Sequence, residues 1–174
     1  MENLNKKILL ISAGCFLFAS SSFGKNIETP NNEILNLINN NSIAACVVST
    51  IYKNQPTSRT LLCGINSNKI TLLSEKNNFF HTHMSKNSNV AVTFEANNKK
   101  QINSITLQGK LSKSNTHKKY IEYQIIPQEY KKSTYDLSNN KITFSNFNKV
   151  KNNWVVVKTG SFDFDVEILK KSLS

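Results

Sequence analysis

Two histidines separated by one residue, His81 and His83, are the side chains in this sequence best suited to hold a metal ion or haem. The pattern from Asn78 to Lys86 predicts a helix, and residues two apart lie on opposite sides of a helix, so we do not expect them to chelate one ion. The third histidine, His117, is distant, and no acidic residues with ligand spacing accompany the pair. We expect surface or helix-end histidines and no metal site, and leave open a single axial haem ligand.

Two adjacent aromatic residues, Phe79 and Phe80, directly precede the histidines. They are suited either to pack a helix onto a β-sheet core or to form the wall of a site for a planar ligand. The packing interpretation is favoured. The sequence contains no nucleophile elbow, glycine-rich phosphate loop, CxxC or paired-carboxylate signature that would indicate a particular reaction.

The net charge of +11 comes almost wholly from lysine, and Arg59 is the only arginine. The lysines are spread over every segment, whereas nucleic-acid-binding proteins concentrate their charge and favour arginine for bidentate contacts. We therefore expect no specific nucleic-acid partner. Attraction to anionic surfaces or small anionic ligands remains consistent with the charge.

The first 24 residues have the order of a secretory signal peptide: Lys6 and Lys7, an apolar run over residues 8–19, then small residues up to Gly24. The run is short for a membrane span, and no later stretch is long enough to provide one. We expect cleavage after Gly24 and a secreted or periplasmic protein with its mature N-terminus at or near Lys25, which mass spectrometry would test. Lipid attachment at Cys15 is the less favoured alternative.

The mature chain is predicted to begin with a polar tether over residues 25–32, followed by one domain over residues 33–174. The hydrophobic pattern predicts helices over 33–38, 78–86 and 114–123. Strands are predicted over 43–52, 59–65, 69–74, 89–96, 101–112, 141–147 and 153–159. Strands of this number with a few short helices indicate a mainly β, small closed or half-closed barrel.

Several weak motifs in the right order resemble the pyridoxamine 5'-phosphate oxidase superfamily, in particular a small uncharacterised branch of it. The motifs are the turn Asn54-Gln55-Pro56, a strand that begins at Arg59, a strand that ends at Ser74, a short helix that leads to Asn87, and a long strand that ends at Gly109. The resemblance implies a six-stranded split β-barrel with short flanking helices. It also implies a homodimer that binds FMN at the subunit interface.

The resemblance places a cofactor site at Arg59, Leu61, Leu73, Ser74, Asn78 and Ser104, with Arg59 and Ser74 at the flavin phosphate. Phe79 and Phe80 stand where the family has a basic pair, and Ser104 stands where it often has glutamine. Loss of two charge-assisted hydrogen bonds, each of about 1.5–3 kcal/mol, predicts weakened FMN binding. Lys76, His81 and Lys86 are nearby side chains that could replace the lost charge.

Two classes of function follow from the resemblance. One is a flavin-dependent oxidoreductase with a weakened flavin site. The other is a non-enzymatic binding module, either free of cofactor or binding haem or another small anionic ligand. Export favours the second class slightly, because FMN is made and used mainly in the cytosol.

Cys46 and Cys63 lie on the first two predicted strands and are symmetric about Asn54-Gln55. A hairpin that turns on those two residues would place the cysteines directly opposite each other, with Leu61 opposite Val48. Directly opposed residues are close enough for a disulfide, which an oxidising compartment would preserve. We expect a structural disulfide, with two buried free thiols as the alternative.

Overall fold

The structure, a computed structural model, describes residues 27–164, so the predicted signal peptide over residues 1–24 lies outside the described residues. The described chain contains two helices, α1 (Pro30–Leu37) and α2 (Phe79–Lys86). It also contains eight strands: β1 (Ile43–Tyr52), β2 (Gln55–Ile65), β3 (Ile70–Glu75), β4 (Asn89–Asn97), β5 (Gln101–Thr116), β6 (Tyr120–Asp136), β7 (Lys141–Val150) and β8 (Asn153–Asp163).

All eight strands belong to one antiparallel sheet with the order β3-β2-β1-β4-β5-β6-β7-β8. β3 also pairs with β6, and this pairing closes a ring through six strands. β7 and β8 extend the sheet beyond the ring. The mainly β architecture and the six-stranded ring confirm the predicted fold class, because they are consistent with a split barrel.

The inner face of the ring forms the hydrophobic core because apolar residues alternate with polar ones along its strands. Val48, Val92 and Leu107 are fully buried on three neighbouring strands. On the extension, Tyr130 stacks on Phe147 with ring centroids 4.2 Å apart. One continuous core therefore runs from the ring onto the first strand of the extension.

The two helices close opposite ends of the β1–β2 hairpin. α1 lies near the turn between β2 and β3, where the Asn31 side chain donates a hydrogen bond to the Asn66 carbonyl. It begins at Pro30, with Thr29 as N-cap, and not at the predicted residue 33. Proline is favoured in the first turn of a helix, and Pro30 and Asn31 are buried, so this part of the expected tether is packed structure.

The predicted helix over residues 114–123 is wrong, because this segment forms the end of β5, a tight turn and the start of β6. The backbone N–H of His117 donates to the carbonyl of Tyr120 across the turn. Ile121 and Tyr123 are buried while Glu122 between them is only half-buried, which is the alternation of a strand. Pro127 does not end β6 either, because the pairing of β5 with β6 shifts register there, between Gln108 and Gly109. At Gly109 the backbone of β6 lies too close to leave room for a Cβ atom.

The first hairpin turns on Lys53 and Asn54, one residue earlier than predicted. Both have positive φ, and Tyr52 pairs with Gln55. The expected register is therefore wrong: Val48 faces Arg59. A two-residue turn with positive φ at both positions matches the twist of the strands, and asparagine tolerates that conformation.

The predicted disulfide is nevertheless present between Cys46 and Cys63. In the observed register Cys46 faces Leu61 and Cys63 faces Ala44, so the two cysteines form a diagonal pair on the same face. Their Cα atoms are 6.1 Å apart, within the range that a disulfide spans. Both side chains are buried in the core.

Within residues 27–164, no helix is long and apolar enough to cross a membrane.

We expect the Cys46–Cys63 bond to stabilise the fold by about 3 kcal/mol, because it closes a loop with a sequence separation of 17 residues in the unfolded chain. Urea unfolding of the mature protein with and without reductant measures this difference. The Cys46→Ala/Cys63→Ala variant should have the lower stability and no response to reductant. Two free thiols in the unfolded, non-reduced mature protein, or a wild-type midpoint unchanged by reductant, would contradict the prediction.

Candidate functional site

An opening between β2 and β3 marks the split in the ring. The two strands pair only from Cys63–Leu72 to Ile65–Ile70, while β2 continues for eight further residues with β1 as its only partner. α2 follows β3 directly and packs against β1 and β3 beside this opening. Side chains on the inner face of the free part of β2 therefore face α2 and not a neighbouring strand.

Arg59 and Leu61 lie on that inner face of β2. Arg59 pairs with the fully buried Val48, yet its own side chain is exposed because β3 does not extend beside it. No carboxylate lies within 4 Å of the Arg59 guanidinium among the residues the structure describes. Leu61 is half-buried against the core. The sole arginine is thus an unneutralised cation at the split.

Ser74 and Asn78 lie on the other side of the split, and Leu73 does not face it. Ser74 points inward and is 2% exposed, whereas Leu73, on the alternate face of β3, is 47% exposed on the outside. Asn78 is the N-cap of α2, and its side-chain oxygen accepts from the Phe80 backbone N–H at 2.8 Å. That oxygen is already used to begin the helix.

Ser104 is separated from the other predicted site residues of the same chain. It pairs with Glu95 and Ser133 on the outer face of the sheet. Gly109, five residues further along β5, pairs with Val90, which in turn pairs with Thr50. These residues lie at the end of the sheet that α2 covers. Five residues of strand span about 17 Å, so Ser104 lies toward the opposite end.

The two adjacent phenylalanines have different environments. Phe80 is 1% exposed and packs in the core, which confirms the packing interpretation for this residue. Phe79 is 67% exposed, and its ring centroid lies 4.0 Å from that of His83. Neither can replace the charge of a basic pair, and Phe80 is closed to any ligand.

The prediction was a surface or helix-end histidine: His83 is buried, 3% exposed, but it does lie in the last turn of α2. It shares a face of α2 with Phe80 and Met84, and its Nδ1 lies 3.2 Å from the Thr57 hydroxyl oxygen. Tyr52 stacks on the imidazole with centroids 4.5 Å apart. The spacing of Phe80, His83 and Met84, at i, i+3 and i+4, is the signal that could have revealed this burial.

The Nε2 atom of His83 is buried and has no hydrogen-bond partner in the described structure. An unsatisfied polar atom in an apolar setting costs about 1–3 kcal/mol. Thr57 lies on the same face of β2 as Arg59, so His83 closes the α2 side of the split. Sequence reasoning missed Thr57 and Tyr52 entirely.

His81 lies on the other side of α2, where its Nδ1 is 3.0 Å from the hydroxyl oxygen of Tyr123. Partial burial, and secondarily the positive charge of Lys113, lowers the pKa of His81 below its usual value. Burial raises the pKa of Tyr123. The neutral forms of both groups are therefore favoured, and the pair is a hydrogen-bonded contact between α2 and β6.

The turn between β5 and β6 brings further lysines to this end of the molecule. The backbone N–H of Lys76, just after β3, donates to the carbonyl of Lys119 in that turn. Lys113 is close enough to influence the titration of His81. These cations come from distant parts of the sequence and surround the end of β3.

A separate open groove of about 510 Å³ lies on the outer side of the β1, β4 and β5 strands. Its lining includes Ser49, Ile51, Pro56, Ala91 and Gln108. None of the six predicted cofactor residues lines it. Within residues 27–164, no three His, Cys, Asp or Glu side chains are placed to hold one metal ion.

No protein-family model matches the sequence, and no curated protein matches it either. Solved structures do share its fold. PhzG from Burkholderia lata, solved in complex with tetrahydrophenazine-1-carboxylic acid, is similar with a TM-score of 0.57 and 9% identity over 76% of this chain and 88% of that one.

Two further structures have similar folds. A pyridoxamine 5'-phosphate oxidase-related, FMN-binding protein from Nostoc punctiforme has a TM-score of 0.52 and 8% identity over 77% of this chain and 94% of its own. An FAD-binding protein from Mycobacterium smegmatis has a TM-score of 0.50 and 9% identity over 60% and 94%. These similarities confirm the predicted resemblance at the level of the fold.

We expect the lowered pKa of His81, which comes from its partial burial and from Lys113, to make stability depend on pH. Because the folded-state pKa of His81 is lowered, the unfolded chain binds more protons, and stability falls as pH drops through about 6.5. Urea unfolding at pH 7.5 and at pH 5.5 should show a smaller loss for His81→Gln than for the wild type. His117→Gln, which removes an exposed histidine from the β5–β6 turn, is the control, and equal losses in all three proteins would contradict the prediction.

Proposed function

We propose that this chain is an exported small-ligand-binding module built on the fold of the pyridoxamine 5'-phosphate oxidase-like, FMN-binding proteins, with a weakened flavin site. The observation that carries the proposal is the set of side chains at the split between β2 and β3. Among residues 27–164, Arg59 lies at the split without a carboxylate partner, but the other side chains expected at a phosphate site are buried or directed elsewhere.

The fit of these residues to an FMN phosphate is only partial. Arg59 is exposed and has no carboxylate within 4 Å in the described part of the chain, as a phosphate-binding residue should. Ser74 is buried, and Phe80 occupies core volume where a basic residue would be needed. Lys76 and Lys113 supply charge near the end of β3, but lysine is a point charge and lacks the planar fork of arginine. Together, these side chains favour weak binding of an anionic ligand over high-affinity binding of flavin.

A flavin-dependent oxidoreductase is the second candidate function, and the fold supports it because two of the similar structures are named as FMN- or FAD-binding proteins. Such a cofactor would supply the redox chemistry. The visible absorption spectrum of the protein purified from its native compartment separates the candidates. Flavin bands would favour the oxidoreductase, haem bands a haem-binding module, and a colourless protein the module without a resident cofactor.

Titration with FMN, followed by quenching of flavin fluorescence, should show weak or no binding at micromolar FMN. The physical reason is the loss of two charge-assisted hydrogen bonds, which lowers affinity by about two to four orders of magnitude. Where binding is measurable at higher FMN concentration, Arg59→Ala should weaken it more than Lys86→Ala.

Lys86→Ala is the comparison because it also removes one exposed cation, from the last turn of α2. A nanomolar dissociation constant for FMN would overturn the weakened-site proposal. Equal effects of the two substitutions would show that general positive charge, and not Arg59, attracts the flavin.

The proposed assembly is a homodimer. Exposed apolar residues on the outer face of the β1–β2 hairpin support it: Ile43 and Leu62 are each 65% exposed, and Val47, on the same face, is also exposed. Single exposed apolar residues are ordinary, but a row on one face is typical of an interaction surface.

Light scattering of the mature protein should therefore give twice the chain mass, and Leu62→Lys should shift the protein toward the monomer. Val157→Lys, which places the same charge at an exposed valine on the edge strand β8, is the control. A wild-type monomer at micromolar concentration, or equal effects of both substitutions, would reject this interface.

A further inference from the structure

We propose that the outer face of β6, β7 and β8 carries a binding site for a small aromatic anion, formed by Lys131, Phe144 and Lys158. The site is distinct from the split, because these residues lie on the extension of the sheet beyond the six-stranded ring. The ligand class is a planar ring that bears a phosphate or carboxylate group.

The register of the extension brings the two lysines together. Asn146 on the middle strand β7 pairs with Lys131 on one side and Lys158 on the other, so the three residues form a row across the sheet. Phe144 lies two residues along β7 on the same face. The Lys131 Nζ atom is 5.4 Å from the centroid of the Phe144 ring, and the Lys158 Nζ atom is 5.9 Å from it.

The position of the ring depends on a glycine. Gly160 pairs with Phe144 across β7 and β8, and a Cβ atom at Gly160 would lie only 2.7 Å from the ring atom Cζ. The ring tip therefore occupies the space above the backbone of β8. Phe162, 52% exposed on the same face, adds a second ring with its centroid 6.5 Å from that of Phe144.

The charges at this site are not neutralised by any acidic side chain of residues 27–164. Neither Lys131 nor Lys158 lies within 4 Å of a carboxylate in the described part of the chain. An anion bound by these ammonium groups would neutralise their charge while its ring packs against Phe144.

The dimensions favour a small molecule over a nucleic acid. The row from Lys131 to Lys158 spans two inter-strand spacings, about 10 Å, which suits one anionic group and one ring. A single strand of nucleic acid would need a longer basic track. Along the same face, Glu129 lies beyond Lys131 on β6 and would repel a continuing phosphate backbone.

The test uses phenyl phosphate as probe and compares it with inorganic phosphate and phenol, which supply the anion and the ring separately. Amide chemical shifts of the mature protein map where each compound binds. At about 0.15 M salt, where long-range attraction is screened, phenyl phosphate should bind about tenfold more tightly than inorganic phosphate or phenol. The shifts should cluster on β6, β7 and β8. Lys131→Gln/Lys158→Gln should weaken phenyl phosphate about tenfold or more, and Phe144→Leu should reduce its affinity to that of inorganic phosphate.

Lys118→Gln/Lys119→Gln is the matched control, because it removes the same charge from the exposed β5–β6 turn and should change affinity less than about twofold. Equal losses in the two double variants, or phenyl phosphate no tighter than inorganic phosphate, would overturn the proposal. So would a short oligothymidylate that binds at β6–β8 more than tenfold tighter than phenyl phosphate, since it would assign the face to nucleic acid.

Discussion

The pairing of β3 with β6 is the constraint on which the rest of the structure depends. It runs from Ile70–Ile125 to Glu75–Tyr120 and turns an open sheet into a ring. Inside that ring, apolar side chains from six strands bury one another, which no flat sheet of this size could do without a covering layer. From Leu73 to Glu75, β3 pairs with β6 and no longer with β2, so the split opens where β3 stays with β6.

Much of the fold could be predicted because alternation of apolar and polar residues is a local signal. The predicted bounds of β1 were correct, and the helix predicted over residues 78–86 matches α2 to within one residue. The β5–β6 turn was mistaken for a helix because its exposed tip has no apolar residues to show a period of two. The predicted register of the first hairpin was wrong because the turn lies one residue earlier than predicted. The two possible turns differ in the backbone conformation of Lys53, which has positive φ.

The site was harder to predict than the fold because its members meet only through tertiary structure. Arg59 was predicted as a flavin-phosphate residue, and its exposed side chain lies at the split. Whether Ser74 is open or Ser104 is near the split depends on strand faces and on the length of β5. The burial of His83 depends on the contact of α2 with Tyr52 and Thr57, which lie on another part of the sheet. The row of Lys131, Asn146 and Lys158 depends on the registers of two separate hairpins.

The diagonal disulfide has a consequence for the order of folding. Cys46 and Cys63 lie on strands joined by a two-residue turn, so the bond needs only a local hairpin to form. Ring closure brings together Ile70 and Ile125, which are far apart in sequence, and contacts of that kind set the folding rate of β proteins. The disulfide can therefore form before the ring closes and hold the first hairpin together. Pairing of β3 with β6 then remains the slow step of folding.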